Sequence, residues 1–422
     1  MQIAVTGSGY LATVISACLA DLGNSVVCRD GDGERILELA QGSLPFYEKN
    51  LDEIIRRNVR AGRLHYSSDS DPHDASAQVV FFADDANTYL VEFALRVAAN
   101  VASDAIFVIC TPVPVGTAAR LERHLREAGF QQAIVSHPLS LTDGCAVEDF
   151  NWPDRLLLGT SSPEAVNALK MIYRPLVMRG IPVIVTNFET AELVREAATA
   201  FVATKISFIN ELASLCEHVN ADAVDLALAL GLDKRIAPRC LQPGVGLGGT
   251  FVEADMDSLA SLASGKGVGL KILSAARDVH RSQTNRLVQK IITALDSLRE
   301  KRLGFLGLAF KPHTSSVAGS SSVALARELA SRGAFVHAYD PVAMQAAERE
   351  LSDNVLFCES AYAAAENSDA LVVGTGWPEF RALDFTRLKR MVRRPLVIDT
   401  KNLLDAERLR GMGFQYLGVG RG

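Results

Sequence analysis

The apolar and glycine positions of the first thirty residues predict one βαβ unit. In QIAVTGSGYLATVISACLADLGNSVVCRD, the pattern predicts a strand at 2–6, a helix at 11–22 and a second strand at 25–29. The two short apolar runs have the length of buried strands, and the apolar stretch between them has the length of a helix. The turn that joins the first strand to the helix therefore decides what this unit can bind.

The glycines of that turn indicate a dinucleotide-binding site. Gly7, Gly9 and Ala12 fit the G-x-G-x-x-G/A pattern, in which the first glycine makes the turn and the second lets the backbone approach a pyrophosphate. Asp30 follows the second strand, where a carboxylate can accept hydrogen bonds from the ribose hydroxyls of NAD. The neighbouring Arg29 leaves the choice between NAD and NADP open on the motif alone. The predicted cofactor-binding residues are Gly7, Gly9, Tyr10, Leu11, Asp30 and Arg35.

The middle of the chain has the pattern of a long helix. No glycine or proline occurs in the 48 residues between Pro182 and Gly231, and apolar side chains recur at helical spacing through 193–219. A helix of about 30 residues is about 45 Å long, which favours bridging two lobes or packing against a partner subunit. Asn220 predicts the cap of a second helix that Gly231 ends.

After residue 300 the pattern returns to strands that alternate with helices. RLGFLGLAF, AFVHAYD, DALVVGTGW and PLVIDTKN are typical of buried strands, and SVALARELASRG is typical of a helix. This order predicts a second open parallel sheet, with Lys311 and Lys401 at the carboxyl ends of its strands, where ligands bind. The predicted fold class is α/β, with two Rossmann-like doubly wound parallel-sheet domains joined by a helical domain that contains the long central helix.

The composition limits the partners and the chemistry. A chain of 422 residues needs more than one core, and a net charge of −6 offers no basic surface to nucleic acid. The seven cysteines form no C-x-x-C pattern and the eight histidines form no H-E-x-x-H pattern, so no disulfide framework and no metal site is predicted. No apolar stretch approaches the roughly 20 residues of a membrane span, and no signal-peptide pattern begins the chain. We expect a cytoplasmic protein that does not bind membranes.

A series of motifs runs through the whole chain in a fixed order. After the glycine turn these are LPFYEKNLDEIIRRNVRAGRL, PVPVGT, AVEDFNWPDRLLLG, KISFINE, DKRIAPRCLQPGVGLGG, LGLAFKPHT, YDP and WPEF. With them the chain resembles the UDP-glucose 6-dehydrogenase and GDP-mannose dehydrogenase family. The resemblance implies an N-terminal NAD-binding domain, a central helical dimerisation domain and a C-terminal UDP-sugar-binding domain, which we place at 1–185, 186–295 and 296–422. It also implies a homodimer.

The resemblance implies a two-step oxidation. Members of the family oxidise the C6 hydroxyl of a nucleotide sugar twice, with two NAD. A cysteine thiolate captures the aldehyde as a thiohemiacetal, the second oxidation gives a thioester, and water assisted by a glutamate releases the acid. The cysteine is needed because an aldehyde has no easily removed hydride until a nucleophile adds to its carbonyl.

This chain departs from the family at the reacting centre. The family's glycine run ends in a pattern like G-G-S-C-F-x-K-D, whereas this sequence reads GGTFVEAD, so Phe251 replaces the cysteine and Ala254 replaces the lysine. The other replacements are Pro112 for a threonine, Leu139 for the glutamate, Arg195 for a lysine and Thr199 for an asparagine. The polar residues left as weak catalytic candidates are Thr250, Asp255, Asp143 and His137. A lone histidine before a proline is more often structural, and Cys240 stands where the family has an aromatic core residue.

Binding positions are better retained. Arg235 precedes Phe251 by the 16 residues that separate, in the family, a substrate-gripping arginine of the neighbouring subunit from the cysteine. With it, the residues that the resemblance assigns to substrate binding are Asn210, Gly248, Lys311 and Lys401, the last in place of an arginine. Asp84 and Asp85 place negative charge where the family faces the cofactor, which opposes binding of an anionic pyrophosphate.

Three hypotheses follow. The first is a catalytically silent member of the family that retains the dimeric scaffold, binds a dinucleotide or a nucleotide sugar such as a UDP-sugar, and acts as partner or regulator of an active dehydrogenase. The second is an NAD-dependent oxidoreductase with a single-step chemistry on a nucleotide sugar, which needs no thiolate but needs a base. The third is an ordinary UDP-glucose 6-dehydrogenase.

Overall fold

The chain folds into two compact units. The computed structural model describes residues 1–68, 76–84, 89–249, 252–351 and 355–421. The units are Met1–Ala197 and Ala198–Gly422, and each contains one sheet. Of the residues singled out above, Asp85, Thr250 and Phe251 lie outside the described ranges.

The first unit is a sheet of eight strands with helices between them. The strands are β1 Gln2–Thr6, β2 Ser25–Arg29, β3 Leu64–Ser67, β4 Val79–Phe82, β5 Ile106–Ile109, β6 Ala133–Ser136, β7 Leu156–Gly159 and β8 Val183–Thr186. The helices are α1 Tyr10–Asp21, α2 Gly33–Ala40, α3 Leu51–Arg60, α4 Leu90–Ala98, α5 Thr117–Glu127, α6 Ala146–Asn151, α7 Pro163–Ile172 and α8 Arg174–Met178. The strand order is β3-β2-β1-β4-β5-β6-β7-β8, and every pairing is parallel except β6 with β7.

Apolar side chains on both faces of this sheet explain why its strands are almost entirely apolar. Ile3 and Val5 of β1 belong to the core on one face, while Ala4 belongs to the core on the other. Parallel strands that are covered on both sides read as continuous apolar runs. The prediction of two strands at 2–6 and 25–29 is confirmed, and the intervening helix begins at Tyr10, one residue before its predicted start.

The second unit combines helices with a six-stranded parallel sheet. The long helix α9 Phe188–Val219 leads into it, and three helices follow, α10 Ala223–Leu232, α11 Val252–Gly265 and α12 Lys271–Leu295. The strands are β9 Arg302–Leu306, β10 Phe335–Tyr339, β11 Val355–Phe357, β12 Ala370–Val373, β13 Leu396–Asp399 and β14 Gln415–Gly418, in the order β11-β10-β9-β12-β13-β14. The remaining helices are α13 Ser321–Ser331, α14 Met344–Glu350, α15 Ala361–Ala365, α16 Pro378–Arg381, α17 Phe385–Met391 and α18 Ala406–Gly411.

The fold class is confirmed, and one predicted cap is wrong. α9 has 32 residues, close to the predicted length. Asn220 does not cap α10, because it adopts a left-handed backbone at φ 56°. Asp222 is the cap instead, since its carboxylate accepts hydrogen bonds from the backbone of Val224 at 2.7 Å and of Asp225 at 3.3 Å. α10 also continues through Gly231 to Leu232.

The end of the chain is fixed to the helices of the second unit. Lys290 of α12 donates hydrogen bonds to Glu217 and to the carbonyl of Gly418. Glu217 also accepts from the backbone N–H of Gly420 at 2.9 Å, and Arg421 pairs with Asp222 at 2.7 Å. These contacts hold the residues after β14 against α9 and α10.

Three further properties of the residues that the structure describes concern membrane spans, cysteines and metal sites. No helix there is long and apolar enough to cross a membrane. All seven cysteines lie within those ranges and are free thiols. The same residues contain no group of three or more histidine, cysteine, aspartate or glutamate side chains that could hold a metal ion.

Candidate functional site

The turn after β1 is shaped to receive a ligand backbone. Gly7 has φ +103°, and a Cβ atom at this position would lie 3.1 Å from Asp84 Cα and 3.4 Å from Ala12 Cβ. The N–H of Gly7 donates to the carbonyl of Arg29 at 2.8 Å, which fixes the turn at the carboxyl ends of β1 and β2. A side chain at Gly7 would therefore be strained and would crowd its neighbours.

The N-terminus of α1 offers backbone donors next to this turn. Gly9 is the cap residue and has no side chain that could accept the first N–H groups of the helix, whose first turn contains no acidic residue. Free N–H groups and the helix dipole favour an anion at this position. The Tyr10 hydroxyl donates to Glu48 and accepts from the N–H of Gly144 at 3.1 Å. Tyr10 can therefore contribute its backbone N–H, but not its side chain, to the predicted cofactor site. Leu11 can likewise contribute only its backbone, because its side chain packs against the core of this unit.

A cleft of about 270 Å³ opens at the same edge of the sheet. Gly7, Asp30, Asp84, Phe93 and Thr111 are among its lining residues. One carboxylate oxygen of Asp30 accepts from the backbone of Asp32 at 2.9 Å, which orients the side chain in the turn after β2. These features fit NAD, because the glycine turn and the helix N-terminus can receive a pyrophosphate and Asp30 can receive ribose hydroxyls.

Two predicted features of this cleft need correction or qualification. Arg35 does not line the cleft; its backbone N–H donates to Asp32 at 3.1 Å in the first turn of α2. Asp84 does line it and is exposed, so its negative charge faces the space where the pyrophosphate is expected. A bound dinucleotide would therefore meet a repulsion that the helix N-terminus has to offset.

The glycine run 244–249 is held in the second unit by three separate elements. The N–H of Gly244 donates to the carboxamide oxygen of Asn210 on α9 at 2.8 Å, and its carbonyl accepts from Gln283 on α12 at 2.7 Å. A Cβ atom at Gly244 would lie 2.9 Å from the carbonyl oxygen of Thr400, just after β13. Asn210, which we predicted to bind substrate, is buried and uses its oxygen to fix this run.

The later glycines of the run pack against the loop after β9. A Cβ atom at Gly248 would lie 3.0 Å from Phe310 Cβ and 3.2 Å from the carbonyl oxygen of Gly319. Gly249 has φ +126°, and Lys311 extends over the Phe310 ring with its Nζ 5.8 Å from the ring centroid. The structure thus places Gly248 against Phe310, the chain neighbour of Lys311, although the two segments are far apart in sequence.

Lys401 lies beside the start of the run. A Cβ atom at Gly244 would lie 3.8 Å from Lys401 Cδ. Burial lowers the pKa of Lys401 to about 8, and the nearby Asp399 carboxylate opposes that shift. Asp399 is itself buried, and it accepts hydrogen bonds from the backbone of Leu404 at 2.7 Å and from the Tyr416 hydroxyl at 3.1 Å.

The weak catalytic candidates lie in different environments. His137 is a core residue, because Nδ1 lies 2.7 Å from the carbonyl oxygen of Leu157, Nε2 lies 3.1 Å from the Tyr173 hydroxyl, and burial lowers its pKa to about 4. Burial raises the pKa of the Tyr10 phenol, and the charges of Glu48 and of the nearby Asp143 add to that shift. In the second unit, Asp255 is buried and accepts a hydrogen bond from Thr199 at 3.0 Å.

Arg235 lies at the surface of the second unit. Its side chain is 87% exposed and pairs with Asp233 at 2.6 Å. Ala254 is exposed as well. Cys240 is half-buried in a left-handed backbone at φ 65°, so it is less buried than the sequence led us to expect.

The sequence reasoning missed His280 and Gln283. Both lie on α12 between the buried residues Ala276 and Leu287, at helical spacings of four, three and four residues. Polar residues at apolar-face positions were therefore the available signal. His280 lies close to the run, because a Cβ atom at Gly246 would lie 3.1 Å from its Nδ1, and burial lowers the pKa of His280.

Family models match three successive segments of the chain. Residues 1–177 match the NAD-binding domain of the UDP-glucose/GDP-mannose dehydrogenase family, 189–282 match its central domain and 304–406 match its UDP-binding domain. The first of these matches confirms the predicted cofactor, NAD.

Known proteins resemble the chain over its whole length. It is 36% identical over 436 residues to a UDP-glucose 6-dehydrogenase of Rhizobium meliloti (strain 1021), with full coverage of both chains. It is 33% identical to UDP-glucose 6-dehydrogenase TuaD of Bacillus subtilis (strain 168), covering 100% of this chain and 93% of that protein. Among solved structures, a UDP-glucose dehydrogenase from Pyrobaculum islandicum matches with a TM-score of 0.89 and 29% identity, covering 100% of this chain and 98% of that one.

Proposed function

Because the chain belongs to the UDP-glucose/GDP-mannose dehydrogenase family, we propose that it binds NAD and a UDP-sugar without performing the two-step oxidation. The observation that carries this proposal is the segment from Gly244 to Asp255, which contains no cysteine and has Phe251 and Ala254 at the positions of the family's cysteine and lysine. Loss of a covalent nucleophile costs several orders of magnitude in rate. The retained glycine turns support binding.

Residues of the first unit would bind NAD, and residues of the second unit would bind the UDP-sugar. Gly7, Gly9 and Asp30 would hold NAD through backbone donors and the ribose contact. Lys311 and Lys401 would attract the diphosphate of the UDP-sugar near Gly248, with Asn210 fixing the glycine run rather than touching the ligand. The domain boundaries at 185 and 295 remain our proposal for how the chain is divided between these tasks.

A homodimer is part of this proposal. Phe201, Phe208 and Leu215 of α9 follow one another at intervals of seven residues, and their side chains are 67%, 51% and 54% exposed. An exposed apolar stripe with that spacing is typical of a helix that packs against another helix. Light scattering should give a dimer, and Phe208→Glu should shift it toward the monomer. An active dehydrogenase is the alternative partner that could pack on this stripe. The cytoplasmic location stays a prediction.

Calorimetry and NADH absorbance together test the proposal. Purified protein should bind NAD and UDP-glucose but give no NADH signal at 340 nm with a panel of nucleotide sugars. The matched variant Phe251→Cys, Ala254→Lys, Leu139→Glu restores the family's residues and should bind both ligands with similar affinity. NADH formation by the unmodified protein would contradict catalytic silence, and failure to bind either ligand would contradict the binding role.

One observation favours single-step oxidation as a second candidate. His280 is a titratable base beside the glycine run, and its Nε2 lies 3.9 Å from Glu253, which could orient the ring. Such a base could take the proton of a sugar hydroxyl, while NAD supplies the hydride acceptor. This candidate predicts NADH formation that stops at the aldehyde and is lost in His280→Gln.

A further inference from the structure

Lys205 of α9 makes contacts that the proposed binding residues do not explain. Its Nζ donates to the carbonyl oxygens of Ile236 at 3.1 Å, Ala237 at 3.2 Å and Arg239 at 2.7 Å. An ammonium group has three donor hydrogens, so these three bonds use all of them. All three acceptors belong to the segment that follows α10, here called the 233–240 loop.

The 233–240 loop has an unfavourable backbone. Ala237 and Cys240 have φ values of 63° and 65°, in the left-handed region that costs energy for any residue with a Cβ atom. Ala237 also precedes Pro238, and a following proline further restricts its backbone. Pro238 packs closely on α10, because a Cβ atom at Gly231 would lie 2.9 Å from Pro238 Cα. Such a backbone persists only where the surroundings hold it.

The loop presents Arg235 to the outside. The backbone N–H of Arg235 donates to Asp233 at 3.0 Å, and the guanidinium donates to the same carboxylate at 2.6 Å. The N–H groups of Ile236 and Ala237 donate to the carbonyl of Asp233 at 2.9 and 3.0 Å. Because the Arg235 side chain is almost fully exposed, the loop backbone and Asp233, rather than core packing, decide where the guanidinium stands.

We propose that Lys205 is a positioning residue for nucleotide-sugar binding: it fixes the 233–240 loop so that Arg235 is aimed at the anionic nucleotide sugar held by a second copy of this chain. The proposal rests on the proposed function. Without the ammonium group, three carbonyls lose their donor and the left-handed residues can relax. Arg235 then has to be ordered at the moment of binding, and that ordering weakens the affinity.

Calorimetric titration of the full-length dimer with UDP-glucose tests this role. Lys205→Met keeps the length of the side chain and removes its donors, so we expect the affinity to fall about tenfold, a typical loss for a charged hydrogen-bonding group. Lys205→Arg restores donors to the carbonyls and should recover most of the affinity. NAD affinity should stay unchanged in both variants. If Lys205→Met does not fold, Lys205→Gln, which keeps an amide donor, should give a smaller loss.

A double variant separates positioning from a general effect on stability. If Lys205 acts only through Arg235, then Lys205→Met combined with Arg235→Ala should bind UDP-glucose as weakly as Arg235→Ala alone. Additive losses, or an unchanged affinity of Lys205→Met, would overturn the inference while leaving the proposed function intact. If the unmodified protein binds no UDP-glucose, the proposed function and the inference fall together.

Discussion

Burial gives two ionisable residues of this chain opposite roles. Lys401 lies between Asp399 and the glycine run, and its pKa of about 8 leaves most of its charge in place near neutral pH. His137 has a pKa of about 4, and core atoms occupy both of its ring nitrogens. Burial thus gives Lys401 a pKa at which its charge changes just above neutral pH, whereas it keeps His137 neutral at that pH.

The Lys401 charge predicts a pH dependence of ligand binding. As the pH rises from about 7 to 9, Lys401 loses its proton and its attraction for a diphosphate, so the affinity for UDP-glucose should fall. Calorimetric titrations at the two ends of this range measure the change. Lys401→Met should bind weakly at both, whereas Lys311→Met should bind weakly and keep the dependence. A constant affinity of the unmodified protein would contradict this prediction.

His137 predicts a loss of stability in acid. Its pKa is lowered in the folded protein. Below about pH 6.5, the ordinary pKa of histidine, the unfolded chain therefore binds a proton that the folded chain does not bind. The free energy of unfolding should therefore decline between about pH 6.5 and 4, by about 3 kcal/mol in total. Urea denaturation of the first unit at several pH values tests this, with His137→Gln expected to show a smaller decline. An equal decline in both proteins would show that other groups are responsible.

At the scale of the elements, acidic side chains cap some of the helices. Glu192 of α9 is buried and accepts from the backbone N–H groups of Gly116 at 2.6 Å and of Ala118 at 2.8 Å, so it caps α5 from another helix. Asp222 caps α10 locally. By contrast, Gly9, the cap residue of α1, has no side chain to accept the N-terminal donors of that helix, which lie beside Gly7. A helix N-terminus of this kind suits an anionic group such as the pyrophosphate of NAD.

Gly7 and Gly129 form a matched pair for testing that site. Both have positive φ, +103° and +86°, but an added Cβ atom meets Asp84 and Ala12 at Gly7 and nothing within 4 Å at Gly129. Gly129→Ala should cost about 1 kcal/mol of stability and leave NAD affinity unchanged. Gly7→Ala should weaken NAD binding at least tenfold, because the turn must shift and the backbone can no longer approach the pyrophosphate. Calorimetry and thermal unfolding give both quantities, and equal NAD affinities would contradict the assignment.

At the scale of the whole molecule, the six strands of the second sheet have the same order as the first six strands of the first sheet, but the two sheets use that order differently. Gly7 and Gly307 both have positive φ and donate to the end of the neighbouring strand at 2.8 and 2.7 Å. An aspartate follows that strand in each sheet. Asp340 is buried and accepts hydrogen bonds from the backbone of Leu308 and from the Trp377 indole, among others. Its carboxylate is therefore engaged in contacts within the fold. Asp30 lines an open cleft instead, so its carboxylate can receive the ribose hydroxyls of NAD.

The fixed chain end predicts a sharp dependence of stability on Gly420. Gly420 has φ +70°, and a Cβ atom there would overlap Ala223 Cβ and lie 2.7 Å from Ala213 Cβ. Gly420→Ala should destabilise the second unit by about 2 kcal/mol or more, because overpacking and backbone strain add. Gly411→Ala, in a helix with nothing within 4 Å, should be neutral or stabilising. Thermal unfolding measures both, and a tolerated Gly420→Ala would show that the chain end is not fixed.

Local pattern was enough for much of this description. The strands at 2–6 and 25–29, the long central helix and the second parallel sheet follow from the periodicity of apolar residues, because burial of one face or of both faces imposes that periodicity. The absence of a cysteine from the segment 244–255 is also a property of the sequence itself. Asn220 was misread, because a cap depends on a backbone geometry that the residue type alone does not fix.

By itself, then, the sequence determined the fold class and the family, because both follow from residue types at short spacings, and it places no cysteine in the segment 244–255. Only the tertiary structure decided which residues meet. It joined Asn210, Gln283 and Thr400 around Gly244, and it placed His280 beside Gly246. It also turned Lys205 toward the loop of Arg235. The physical reason is that these contacts join residues distant along the chain, and their geometry exists only after the helices and the sheet have packed.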